Sequence, residues 1–469
     1  MKYLIKKYLS IVVIIIMITT GLNAQTYVSG GIYSNTTWTL ANSPYIVVDT
    51  VAVFPGITLT IQPGVLVKFE NNIRLEIRQA KLIAIGTSID SITFTSNNVS
   101  PSPGIWGEII LNGGTEFDTS KFNYCNFKYA NTGIYSQSAN TLIIKNSNFN
   151  YNNIGILGST NYGTGTRDVY IDSTNFTNNI NYGTTGFMEG IINYCNFTYN
   201  QTGLSGFNGI VRNCTANSNY TGIFASGLIE NCDASYNQIG FNGGGGLGTI
   251  KNCTSYYNTL IGVNFEGDSV INCQIKYNGI GLNDWLGFTY NVLTQNVIEN
   301  NNIGIKLENS ENKIFCNKIC NNTAYDLYYN VLFGSNTALI RNNYWCATDS
   351  STIASYIYDG YDDISLGLVS FVPFDTLQCY LNTAIPFNPF QNILFYISPN
   401  PASCNLTVSI PMTISKILIK IINILGEIEY SSIATSELTN IDISNLTNGV
   451  YIIQVSINDK VQRQKFIKQ

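Results

Sequence analysis

A short phrase, Asn-Cys-x-x-x-Tyr-Asn-x-x-Gly-hydrophobic, recurs through the middle of this chain about every twenty residues. Its cysteines are Cys195, Cys214, Cys232, Cys253 and Cys273. An asparagine follows five residues later each time, at Asn200, Asn219, Asn237, Asn258 and Asn278. Glycines follow at Gly203, Gly222, Gly240, Gly262 and Gly281. Self-similarity at this period means one structural unit stacked on copies of itself. The frame extends upstream to Cys125 and Ser147, with Thr174 opening a longer unit, and downstream to Asn296 and Asn317.

Numbered from the Cys place as zero, position +2 is apolar or small: Phe127, Phe149, Phe176, Phe197, Ala216, Ala234, Ile275 and Ile298. Alternation over a few residues signals a strand, and the Gly and Asn clusters between are turns. Units this short leave no room for a helix. The pattern therefore predicts an all-β chain whose main body is a right-handed parallel β-helix. Segments such as Thr58–Ile61 and Ile92–Thr95 continue the period toward the N-terminus and predict its first coils.

The recurring residues have structural reasons. A side-chain amide donates and accepts at once, so the +5 asparagines can bond from rung to rung as in cross-β stacks. Tyrosines at +4 should stack in the same way. Arg212, Glu230 and Lys251, at −2 on consecutive units, form an exposed ladder of alternating charge. The cysteines read as small buried residues with free thiols, because side chains stacked in parallel point the same way rather than toward each other. The pair Cys316 and Cys320 is the expected exception.

Composition narrows the function. Charged residues make up 11% of the chain, against about 25% in ordinary soluble proteins. The net charge of −5 gives no electrostatic footprint for nucleic acid. Histidine is absent, which removes Ser-His-Asp and Cys-His catalysis and histidine metal ligation. Residues 1–24 read as a signal peptide, with Lys2, Lys6 and Lys7 before the apolar run Ile11–Thr19. The remainder is expected to be exported and monomeric.

Two resemblances follow from wording. Thr58-Leu59-Thr60-Ile61-Gln62-Pro63-Gly64-Val65 resembles the opening coils of secreted β-helix proteins of the pectate-lyase-like class. Asn342-Asn343-Tyr344-Trp345, with Asp359, Asp362-Asp363 and Phe371-Val372-Pro373-Phe374, resembles their closing coil. Residues 25–375 are assigned to this domain and 376–394, with Pro386 and Pro389, to a linker. Residues 395–469 read as about six short strands of a small antiparallel β-sandwich. Ser398-Pro399-Asn400-Pro401, Asn423-Ile424-Leu425-Gly426, Gly449-Val450-Tyr451 and Lys465-Phe466-Ile467-Lys468 resemble the type A sorting domain of the type IX secretion system of Bacteroidota. That resemblance implies export by the type IX machinery and a surface-attached or released product.

Family members that cleave polysaccharides use carboxylates, calcium and a basic residue. The candidates here are Glu266, Asp284 and Glu308 as an acidic stripe, Lys306 as a base and Trp285 as a sugar platform. Against this, motif-free charges usually belong to a solvated face. Asp359, Asp362 and Asp363 form a second acidic group, better read as a capping turn, with calcium the only metal left open. No other cofactor is implied. Three functions remain: a non-catalytic carbohydrate-binding or adhesion protein, a lyase or hydrolase of acidic glycans, and a structural surface component.

Overall fold

The structure, a computed structural model, describes residues 25–379 and 395–469, apart from 114–118, 138–140, 159–167, 187–188, 244–247, 285–290, 333–336, 410–416, 424–426, 435–437 and 458–459. The chain divides into two compact units, Met1–Leu381 and Asn382–Gln469.

In the first unit every named strand pairs in parallel with the strand one coil away, forming a β-solenoid. Its cleanest face is a sheet of thirteen strands in sequence order, from Thr36–Trp38 to Lys313–Phe315. Strands of three or four residues such as Asn196–Thr198 form the second face. Strands of about five residues such as Thr221–Ala225 form the third. On the second face register is kept from coil to coil, with Phe149 opposite Phe176 and Phe176 opposite Phe197.

The interior repeats like the sequence. Rings at +2 stack face to face, with centroids 4.4 Å apart for Phe127–Phe149, 5.0 Å for Phe149–Phe176 and 4.9 Å for Phe176–Phe197. These spacings equal the separation of hydrogen-bonded strands, so each ring contacts its neighbour without leaving its rung. Glycine at +8 is required by a close approach. A Cβ on Gly240 would lie 2.5 Å from the carbonyl oxygen of Gly262 in the next coil.

Two corners bound the short second-face strand. The residue at −1 has positive φ, as at Asn213 (53°) and Asn252 (55°), and so does the residue at +4, as at Tyr199 (57°) and Tyr257 (55°). Each left-handed residue turns the chain sharply. The next residue, at 0 or +5, then points inward. The +4 tyrosines accordingly sit outside; Tyr236, Tyr257 and Tyr277 stack at 5.2 and 4.9 Å. Tyr199 does not join them, since Asn178 and Ser218 occupy the corners on either side.

Both inward positions work alike. Asn219 donates through Nδ2 to Asn237 Oδ1 (3.2 Å), and its backbone N–H donates to the same oxygen (2.8 Å). Asn237, Asn258 and Asn278 repeat this arrangement down to Asn322. At position 0 the backbone N–H of one coil donates to the side chain of the next: Cys125 to Ser147 Oγ, Cys195 to Cys214 Sγ, Cys273 to Asn296 Oδ1. The buried thiols are therefore hydrogen-bonding groups interchangeable with Ser and Asn, beyond the apolar role expected of them.

Cys125, Cys195, Cys214, Cys232, Cys253 and Cys273 are free and buried. The expected Cys316–Cys320 pairing is corrected: Cys316 bonds to Cys379 and Cys320 to Cys346, with Cα separations of 5.2 and 5.8 Å. The reason is geometric. Cys316 sits on the left-handed corner (φ 59°) before the strand Lys318–Cys320, so the length of that strand, on the order of 10 Å, lies between it and Cys320, beyond the ~7 Å reach of a disulfide. Both bridges instead tie the last coils to the segments that close them.

Among the described residues, the second unit has seven strands in two antiparallel sheets. One contains Tyr396–Ser398, Asn405–Ser409 and Leu438–Asp442; the other contains Ile417–Asn423, Ile428–Ala434, Gly449–Ile457 and Lys460–Lys468. Alternating residues such as Ile417, Ile419 and Ile421 fill the core between them. The strand beyond the six expected is Tyr396–Ser398, immediately before the prolines.

Candidate functional site

The predicted acidic residues lie where the third face turns back toward the thirteen-stranded sheet. Phe265 and Asp284 occupy equivalent rung positions, so Glu266 is one place further along than Asp284. Asn283 pairs with Lys306, which places Glu308 in the column of Glu266. Alternation then separates the carboxylates. Asp284 is buried, and its Oδ2 accepts from Glu308 N (3.3 Å) and Asn312 Nδ2 (3.0 Å). Glu308 is half-buried; it receives Lys306 Nζ at 2.7 Å and Asn330 Nδ2 at 2.9 Å. Acid and base candidates are thus bonded to each other. Trp285 lies outside the described residues.

The second acidic group is a turn closed on its own backbone. Asp359 is buried and accepts from Tyr361 N (2.9 Å) and Val369 N (2.8 Å). Asp362 accepts from Asp359 N. Asp363 accepts from the backbone and hydroxyl of Ser365, and these bonds hold its carboxyl below the usual range. Among the described residues, no group of three or more His, Cys, Asp or Glu could hold a metal ion. No helix among them is long and apolar enough to cross a membrane.

Sequence reading passed over a third ladder. The residue before each strand of the long sheet is glycine at Gly209, Gly227 and Gly248, but Asp268, Asn291 and Asn312 in the later coils. Asp268 N donates to Asn291 Oδ1 (3.1 Å), and Asn291 Nδ2 donates to Asn312 Oδ1 (2.6 Å). Burial raises the Asp268 carboxyl, while the N–H groups of Glu266 and Gly248 oppose that shift. A column that changes from Gly to Asn shows no periodicity, so its signal was weak.

Asn312 also floors the depression that this corner opens into. The long sheet ends at Lys313–Phe315, and Ala338–Leu339 begins a separate two-stranded sheet with Val369–Ser370. At this seam lies an open depression of about 620 Å³. Phe315, Lys313, Glu311, Leu339 and Arg341 line it with Asn312. The Lys318–Tyr344 bridge and the Cys316 N to Asn342 O bond set the alignment across the seam, placing Phe315 above Arg341 and Lys313 above Leu339. Phe315 is 42% exposed, and Arg341 Nη2 is anchored on Ser370 Oγ at 3.2 Å. An exposed ring beside two cations can hold a flat, partly apolar, hydroxylated ligand.

Residues 396–469 match the family described as the secretion system C-terminal sorting domain. The chain is therefore exported by type IX secretion, to the cell surface or beyond it. No curated protein matches it. Among solved structures, it is similar to full-length tailspike protein 2 of Escherichia coli O157:H7 bacteriophage CAB120, at 10% identity and a TM-score of 0.26. That similarity covers 89% of this chain and 64% of the tailspike, less than two thirds of its length.

Proposed function

We propose that this type IX-sorted β-solenoid is a non-catalytic carbohydrate-binding or adhesion protein. The observation that carries the reading is the seam depression, where an exposed aromatic ring and two cations meet on a charge-poor surface. Sugars dock by stacking an apolar ring face on an aromatic side chain while their hydroxyls meet polar neighbours. The bonding around the carboxylates supports binding over cleavage. A general base must be within reach of the proton it removes, and Lys306 is already paired with Glu308. Asp284 and Asp359 hold backbone N–H groups, which is structural work.

The test is retention and turnover on a polysaccharide panel, with calcium and with chelator. Retention without product supports the reading. Product formation would replace it with a lyase or hydrolase. The machinery of export is tested separately: deletion of residues 395–469 should leave the protein in the periplasm.

A further inference from the structure

We infer that the seam depression is selective for anionic saccharides, recognised through a carboxylate or sulfate group; this rests on the binding reading above. Three observations carry it. The first is topological. One sheet runs without interruption through thirteen strands and stops at Lys313–Phe315. The next coil departs for 26 residues, from Asn317 to Asn343, and returns in a different sheet. The depression lies where the repeat breaks, between the last strand of the long sheet and the segment that follows it.

The second is charge. The chain carries a net −5, yet the depression combines Lys313 and Arg341 with a single anion, Glu311. A local excess of positive charge on an acidic protein selects an anionic ligand against the field of the rest. Arg341 uses one guanidinium nitrogen on Ser370 Oγ, which fixes its plane while other N–H groups remain for a carboxylate or sulfate.

The third is preorganisation. The floor amide of Asn312 is 7% exposed and fully engaged: Nδ2 bonds to Asp284 Oδ2 and Asn309 O, and Oδ1 accepts from Asn291. Asp284 thus acts as a positioning residue for the floor.

The experiment is titration calorimetry on the full chain with three oligosaccharide sets matched in length: neutral, uronate-bearing and sulfated. Either anionic set, or both, should bind at least about tenfold more tightly than the neutral set, and added salt should weaken the binding. Binding by one anionic set alone identifies which group is read. Arg341→Gln and Lys313→Gln should each cost about tenfold on anionic ligands and leave neutral ones unchanged. Phe315→Ala should weaken all of them. Lys251→Gln, on the same face but remote, should change nothing. Equal binding of neutral and anionic sets, or unaltered affinity in Arg341→Gln and Lys313→Gln, overturns this inference and leaves the binding reading standing. Failure of all three sets to bind removes the binding reading as well.

Discussion

The middle coils and the closing coils use the same corners with different chemistry. Between Cys195 and Asn301 each inward group is a thiol or amide that both accepts and donates, so every rung serves the next. The +5 column ends at Asn322, while the position-0 column runs on from Asn296 through Asn317 to Asn343. Asn322 finds no further amide below it; Asp326, four residues on, takes both of its donors on Oδ1, at 3.2 Å from the backbone N and 2.8 Å from Nδ2. Amides replace thiols at position 0, with Cys316 and Cys320 beside that column held in disulfides, and the long sheet gives way to a short one. The difference teaches that a repeat can stabilise its interior by copying but needs new devices where copying stops.

The sharpest way to break the comparison is to remove one amide from the middle. Asn237→Ala removes the acceptor shared by the backbone N–H and Nδ2 of Asn219, and the amide that bonds the carbonyls of Ala216 and Ser235. Chemical denaturation should show a loss of about 3–5 kcal/mol. At the closing end, replacing Cys320 and Cys346 by Ser together should cost about 2–4 kcal/mol. Hydrogen exchange should then rise over residues 318–358 and stay unchanged over 195–301. Uniform loss of protection would show the two regions to be one cooperative unit.

Asp326 gives a pH-dependent contrast. Burial raises its carboxyl to about 6, against the pull of the two bonds from Asn322. A carboxyl raised on folding favours the protonated fold. Its contribution is complete below the unfolded value near 4 and is lost as pH rises through 6. Asp326→Asn should therefore stabilise the protein at pH 7–8 by about 1–3 kcal/mol and flatten its stability between pH 4 and 7. A destabilised variant at pH 8 would show that the ionised acceptor is the better ladder end. The smallest effect is expected at the thiols. Cys253 Sγ accepts from Cys232 N and donates to Lys251 O. Cys253→Ser should stay within about 0.5 kcal/mol, whereas Cys253→Ala should lose about 1 kcal/mol.

What the sequence made legible followed its periodicity. The stacked phenylalanines, the +5 amides and the parallel rungs each depend on one residue type recurring at one place, and repetition is visible in letters. The closing end was opaque for the same reason. Phe315 and Arg341 adjoin only because a 26-residue excursion returns in register. Nothing in the wording measures that path. Cys346 and Cys379 meet their partners by similar excursions. The acidic candidates were legible as a column but not as an environment. A shift of one rung position turned Asp284 inward while Glu308 stayed at the surface.

The ladders have a consequence for how such a protein changes over generations. Each coil takes from the one before what it gives to the one after, so a duplicated coil meets matching neighbours on both sides. Insertion or loss of about twenty residues would leave both ends intact and alter the height by about 4.8 Å. The acceptor at Asp326 cannot be copied inward in this way, because a carboxylate has no hydrogen to pass to a further rung. The solenoid is in effect a ruler of adjustable length, and unequal recombination alone would tune that length.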